Sequence, residues 1–69
     1  MEVIQLREDF IKLGQALKAA GLVESGVEAK EVIIDGLVKV NGEIEVRRGK
    51  KLYKNDIVSF NNEEIKIEK

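Results

Sequence analysis

The spacing of apolar residues changes after Gly36, and that change constrains the fold more than any other feature. From Leu13 to Gly36, apolar side chains recur at helical intervals. From Leu37 onward they alternate with polar ones, as they do in half-buried strands. Weak alternation in residues 2–6 predicts one short strand before the helices. The order is strand, helix, helix, then three or four strands, which predicts an α+β domain with its helices grouped early.

The first helix has a clear apolar face and a clear end. Four apolar residues recur at i, i+3, i+4 and i+7, the spacing of a helix face that packs on a core. They are Leu13, Ala16, Leu17 and Ala20. Gly21 then supplies a left-handed stop. The start stays open, since residues 10–13 fit either a strand or a helix and Gly14 can act as a cap.

The second helix is marked at both ends. Residues 25–28, Ser-Gly-Val-Glu, fit a capping box in which the serine oxygen accepts from a first-turn amide and Glu28 reaches back. Gly36 closes the helix. One face is apolar and another is acidic, and Lys30 lies about a third of a turn from the acidic stripe, so it can face a different partner. The apolar face is Ala29, Val32 and Ile33, and the acidic stripe is Glu28, Glu31 and Asp35.

The dipeptide Asn41-Gly42 is the strongest hairpin signal in the chain. A two-residue loop there would pair Val40 with Glu43 and place the valines on the same face as the glutamates. A three-residue loop that includes Val40 would instead pair Val38 with Ile44 and give one apolar face. We therefore expect a three-residue loop with a bulge.

Charge is unevenly distributed along the chain. The totals nearly cancel, with 12 Lys and Arg against 13 Asp and Glu, a net charge of −1. Residues 47–54, however, hold five cations and no acid, while the acids lie mainly at 8–9, 24–35 and 63–64. The molecule should be electrically two-sided, and local potential at a contact matters more than the total charge.

Catalysis has little to build on. The chain has no cysteine and no histidine, which removes the usual general base, the commonest zinc ligand and any thiolate. A chain of 69 residues also offers little cleft in which to desolvate a pair of carboxylates. We expect no enzyme activity, no metal and no cofactor. No apolar run approaches the ~20 residues of a membrane span, and the N-terminus does not fit a targeting segment, so we expect a cytoplasmic protein.

Five segments between residues 12 and 58 together resemble the S4-like RNA-binding domain family. They are KLGQALK at 12–18, GLVESG at 21–26, AK at 29–30, GLVKVNGE at 36–43 and EVRRGKKL at 45–52. The chain is most similar in pattern to small stand-alone bacterial members of the YaaA/YbcJ type. The resemblance implies one S4-like (αL-type) α+β domain over residues 1–69, with two N-terminal helices packed on a small, mainly antiparallel sheet.

The resemblance also implies non-catalytic binding of structured RNA, either ribosomal or transfer RNA, in ribosome assembly or association. Arginine can fork onto a phosphate, lysine adds charge, and the first amides of the second helix form a positive end that can hold a phosphate. The RNA-binding residues implied by the family's RNA face are Gln15, Lys18, Ser25, Gly26, Lys30, Arg47, Arg48, Lys50 and Lys51.

Other interpretations remain open. A β-grasp-like protein-interaction module using the acidic helix face is the main alternative, although the chain lacks the Gly-Gly tail of the small sulfur carriers. DNA binding is weaker, because the second helix carries three acids on one face. Tyr53 could stack on a base or lie partly buried beside Leu52. Each helix needs its apolar face for the core, which favours a monomer.

Overall fold

A computed structural model describes all residues, 1–69, as two helices, a five-stranded sheet and a two-stranded ribbon. The elements are β1 (Glu2–Gln5), β2 (Ile11–Lys12), α1 (Leu13–Ala19), α2 (Gly26–Ile34), β3 (Val38–Val40), β4 (Glu43–Ile44), β5 (Lys51–Leu52), β6 (Ile57–Phe60) and β7 (Glu63–Glu68). The sheet order is β1-β7-β6-β3-β4, and β1 with β7 is its one parallel pair. Strands β2 and β5 form a separate antiparallel ribbon.

This architecture confirms the expected α+β fold, with both helices before most of the strands and a mainly antiparallel sheet. Five strands follow the helices, rather than the expected three or four. The additional strand is β5, which has only two residues. A two-residue strand carries too little alternation to be recognised from the sequence.

A single apolar core holds the helices on the sheet. Its twelve buried residues include no polar or charged side chain. The helix faces expected to be buried are in it, except that Ala20 and Val32 are only partly buried. The core residues are Leu13, Ala16, Leu17, Val23, Ala29, Ile33, Val38, Val40, Leu52, Val58, Ile65 and Ile67.

Both helices end in the same hydrogen-bonded motif. After α1, Gly21 has a φ of +75° and the Leu22 amide donates to the Leu17 carbonyl at 3.0 Å. After α2, Gly36 has a φ of +77° and the Leu37 amide donates to the Val32 carbonyl at 3.1 Å. These are Schellman motifs, and they confirm both glycine stops. Neither helix has the length and apolar character that a membrane crossing requires.

The expected three-residue hairpin loop is wrong. Strands β3 and β4 are joined by two residues, and Val40 pairs with Glu43 while Lys39 pairs with Ile44. Asn41 and Gly42 both have positive φ, +53° and +86°, as a type I′ turn requires. Turn chemistry therefore decided the register, because β4 lies at the sheet edge, where Ile44 remains 61% exposed.

Candidate nucleic-acid interface

The basic loop, residues 47–51, is attached to the start of α1 by its backbone. The Leu13 amide donates to the Lys50 carbonyl at 2.8 Å, and the Gly14 amide donates to the Arg48 carbonyl at 3.0 Å. The first amides of a helix have no partner within it, so the loop satisfies two of them. Lys12, not Gly14, is the N-cap of α1, so Gly14 does not act as a cap. These bonds fix the loop backbone without using its cationic side chains.

Residues from α1, α2 and the basic loop line a shared depression of about 350 Å³, here called the helix–loop depression. Four of the RNA-binding residues expected from the sequence line it, although they come from three separate segments. It also includes Lys12, which sequence reasoning did not select. The lining residues are Lys12, Gly14, Gln15, Lys18, Gly26, Ala29, Arg48 and Gly49.

A second depression, of about 530 Å³, lies between the basic loop and the ribbon and is here called the loop–ribbon depression. Its lining residues are Arg47, Gly49, Lys50, Lys51 and Tyr53. Gly49 lines both depressions, so the two are adjacent. Together they contain every expected site residue except Ser25 and Lys30, which are exposed near the start of α2 and line neither.

The start of α2 leaves two backbone donors unused. The Ser25 hydroxyl oxygen accepts from the Glu28 amide at 3.1 Å, as expected for a cap. The Glu28 carboxylate reaches past Ser25 and accepts from the Glu24 amide at 2.8 Å. The amides of Gly26 and Val27 make no hydrogen bond within the chain. They are thus available to an acceptor at the positive end of the helix.

Arg47 differs from the other cations of the basic loop because its guanidinium is already paired. Its Nε and Nη2 donate to the two carboxylate oxygens of Glu45 at 2.9 and 3.1 Å, and its amide donates to Oε2 at 3.1 Å. These hydrogen bonds lower the pKa of Glu45 to about 2 and raise the pKa of Arg47. A phosphate would have to compete with Glu45 for this side chain.

The other cations expected in the site, together with Lys12, form no salt bridge. The three salt bridges of the molecule join Arg47 to Glu45, Lys66 to Glu68 and Lys69 to Asp9. None involves the other cationic residues expected in the site, nor Lys12. These unpaired cations are Lys12, Lys18, Lys30, Arg48, Lys50 and Lys51. Acids line other depressions, one with Glu2, Glu63 and Glu64 and another with Glu43, Glu45 and Asp56, and of the unpaired cations only Lys50 also lines one of these.

Sequence reasoning missed two further residues, Lys12 and Phe10, because only the ribbon places them near the basic loop. Lys12 pairs with Lys51 across β2 and β5. The Phe10 ring lies 6.1 Å from the Tyr53 ring, and the Lys51 ammonium lies 4.7 Å from the centre of the Phe10 ring. Two-residue strands far apart in the chain gave no pairing signal, so nothing in the sequence indicated this cluster.

The fold and the site define a small α+β domain with a cationic face built from two helices and one loop. A family model described as the S4 domain matches residues 4–68. The chain therefore belongs to the S4 domain family, as its sequence segments indicated.

Named relatives agree with this assignment. The chain is 44% identical over 57 residues to the probable ribosome maturation protein RlbA of Bacillus subtilis (strain 168), covering 83% of this chain and 80% of that protein. It is 37% identical over 61 residues to the putative RNA-binding protein YbcJ of Escherichia coli (strain K12), covering 88% and 87%.

A solved structure supports the same fold. It is the solution structure of YbcJ from E. coli, described as revealing an alfaL motif involved in RNA-binding. Its TM-score to this chain is 0.76 at 33% identity, covering 100% of this chain and 89% of that one. The resemblance to S4-like proteins of the YbcJ type is thereby confirmed.

Proposed function

We propose that this protein binds structured RNA, specifically ribosomal RNA, without catalysing a reaction on it. The observation that carries the proposal is the helix–loop depression, which is lined by Lys12, Lys18 and Arg48 and by no acidic residue. Unpaired cations on one face of a chain with net charge −1 form a local anion-binding surface. RNA phosphates are the anions that the names of the relatives favour.

The mechanism we propose is recognition of RNA shape through its phosphates. Arg48 presents a planar fork for bidentate contact with a phosphate, and Lys18 and Lys50 add charge that does not depend on direction. The free amides at Gly26 and Val27 offer a further phosphate contact at the start of α2. Because the basic loop is hydrogen-bonded to α1, little backbone order has to be gained on binding.

The wider setting is also part of the proposal. Similarity to a probable ribosome maturation protein favours a role in ribosome assembly or association. Residues 1–69 would act as one RNA-binding domain, as a cytoplasmic monomer. The β-grasp alternative gains no support from a chain that belongs to the S4 domain family.

Anisotropy of a labelled, structured ribosomal RNA fragment, measured across a salt series, tests this function. Three to five phosphate contacts should give a log–log slope of affinity against salt of roughly −2 to −4. In the triple variant R48A/K50A/K51A the magnitude of that slope should fall by about 2 to 3. Arg47 is left in place because its removal would also leave Glu45 without its partner.

The matched control removes three cations from elsewhere on the molecule, in R7A/K39A/K66A, of which only Lys66 has an acidic partner, Glu68 at 3.7 Å. Its net charge equals that of the triple variant, but none of its residues lines either depression. The salt slope of this control should differ from the wild-type slope by less than about 1. If wild type binds no structured RNA even at low salt, or if both variants lose the same slope, the proposal fails.

A further inference from the structure

The ribbon of β2 and β5 separates its residues into a buried face and an exposed face. On one face Ile11 pairs with Leu52, which is completely buried. On the other face Lys12 pairs with Lys51, and both lysines are exposed. Side chains alternate across a strand, so the residues next to the Ile11–Leu52 pair, Phe10 and Tyr53, lie on the same face as the lysines. The exposed face of the ribbon thus combines two aromatic rings and two lysines.

Tyr53 is held in place by its backbone although the residue is 49% exposed. Its amide donates to Asp56 Oδ2 at 2.8 Å, and its carbonyl accepts from the Asp56 amide at 3.0 Å. Asn55 supplies the left-handed residue of that turn, with a φ of +77°. The Phe10 ring packs against the Tyr53 ring, with 6.1 Å between the ring centres and 51° between the ring planes. A tilted neighbour supports the ring without covering both of its faces, and the Tyr53 hydroxyl makes no hydrogen bond within the chain.

The lysine pair is costly in the unbound protein. Like charges directly opposite each other on neighbouring strands destabilise a sheet, and neither Lys12 nor Lys51 has an acidic partner. Lys51 is partly compensated by the Phe10 ring at 4.7 Å. A bound anion between the two ammonium groups would relieve this repulsion.

From these contacts we infer that the exposed face of the ribbon binds one unpaired nucleotide of the RNA. Tyr53 stacks on the base, and Lys12 and Lys51 hold the adjoining phosphate. The inference rests on the proposed function and narrows it, because the preferred RNA then has an unpaired nucleotide beside a duplex. The position suits this, since Tyr53 and Lys51 line the loop–ribbon depression with Arg47 and Lys50. Phosphates of the duplex would contact the basic loop while the unpaired base reaches Tyr53.

Two RNA hairpins with the same stem test the inference, one fully paired and one with a single 2-aminopurine bulge. Stacking of a base on an aromatic side chain is worth about 1–3 kcal/mol, so wild type should bind the bulged RNA roughly 5- to 150-fold more tightly. Fluorescence of the 2-aminopurine should change on binding. The variant Y53L should lose both effects, and Y53F should keep both, because it retains the ring.

The salt slope separates stacking from charge. Y53L should bind the paired hairpin with the wild-type slope, since a neutral ring releases no counterions. K12Q should reduce the slope for the bulged RNA by roughly 0.7–0.9, whereas K39Q, on the five-stranded sheet, should not. Thermal unfolding of each variant establishes that it is folded.

The failures are distinguishable. If wild type binds neither hairpin at low salt, the proposed function and the inference both fall. If wild type binds both hairpins equally, or if Y53L keeps the preference for the bulge, RNA binding stands and the inference is wrong.

Discussion

Two neighbouring polar regions of this molecule use their hydrogen bonds in opposite ways. In the hairpin corner, formed by the β3–β4 turn and the turn before β6, side chains hold the structure. Asn41 Nδ2 donates to Asp56 Oδ1 at 3.1 Å, and Asn41 Oδ1 accepts from the Ile57 amide at 2.9 Å. In the basic loop, backbone carbonyls make the structural bonds to α1 instead.

The difference separates structural polar residues from residues available to a ligand. Side chains of the hairpin corner are occupied, so a ligand would have to displace a bond that holds a turn. Arg48, Lys50 and Lys51 stand on a fixed backbone with no acidic partner. Arg47 belongs to the basic loop by its position in the sequence. Its side chain is nevertheless occupied, as in the hairpin corner, because it donates to Glu45.

Asp56→Ala should have the largest effect, which is on stability, and it should leave the RNA salt slope nearly unchanged. It removes the acceptor for Asn41 Nδ2 and for the Tyr53 amide. Loss of these bonds should lower the free energy of unfolding by about 2 kcal/mol and the Tm by about 10 °C, measured by thermal unfolding. Asp56→Asn, which keeps one acceptor oxygen, should lose less. A large change in RNA salt slope, measured well below the Tm, would contradict the separation of the two regions.

Arg48→Ala and Arg47→Ala should then differ in RNA binding. Arg48 is unpaired, so its removal should reduce the salt slope by roughly 0.7–0.9 and leave stability nearly unchanged. Arg47 already binds Glu45, so its removal should change the slope less and lower stability more. Anisotropy and urea unfolding of both variants decide the comparison. Equal slopes would show that RNA displaces Glu45 from Arg47.

The smallest effect should be the pH dependence that Glu45 contributes. The pKa of Glu45 is lowered from its ordinary value of 4.5 to about 2, first by the hydrogen bond from Arg47. A lowered pKa stabilises the fold fully above the unfolded value and loses that stabilisation as pH falls through the folded value. The stability difference between wild type and Glu45→Gln, from urea unfolding, should shrink between pH 4.5 and about 2. A constant difference would show that the ion pair does not stabilise the fold.

Much of the fold could be predicted because its signals are local. Gly21 and Gly36 end their helices as expected, and Ser25 caps α2. The apolar face of α1 depends on neighbours three and four residues away, and it is buried as expected except at Ala20, which is partly buried. Such features need no knowledge of the tertiary structure.

The remaining features depended on contacts between distant segments. The hairpin register followed from the left-handed conformations of Asn41 and Gly42. Because β4 lies at the edge of the sheet, Ile44 did not have to be buried. Pairing of Lys12 with Lys51 had no periodic signal. For the candidate site, the sequence indicated which cationic residues to expect. It did not indicate that the Arg47 guanidinium is hydrogen-bonded to Glu45.

Chemical-shift mapping of the ¹⁵N-labelled protein with a structured ribosomal RNA fragment tests the central claim most directly. We expect the largest amide shifts in residues 12–18, 25–30 and 47–53, which surround the two depressions. The sheet residues 57–66 should hardly shift. Shifts concentrated on the acidic stripe of α2 or on the hairpin corner, with residues 47–53 unchanged, would contradict the claim that this cationic face binds RNA.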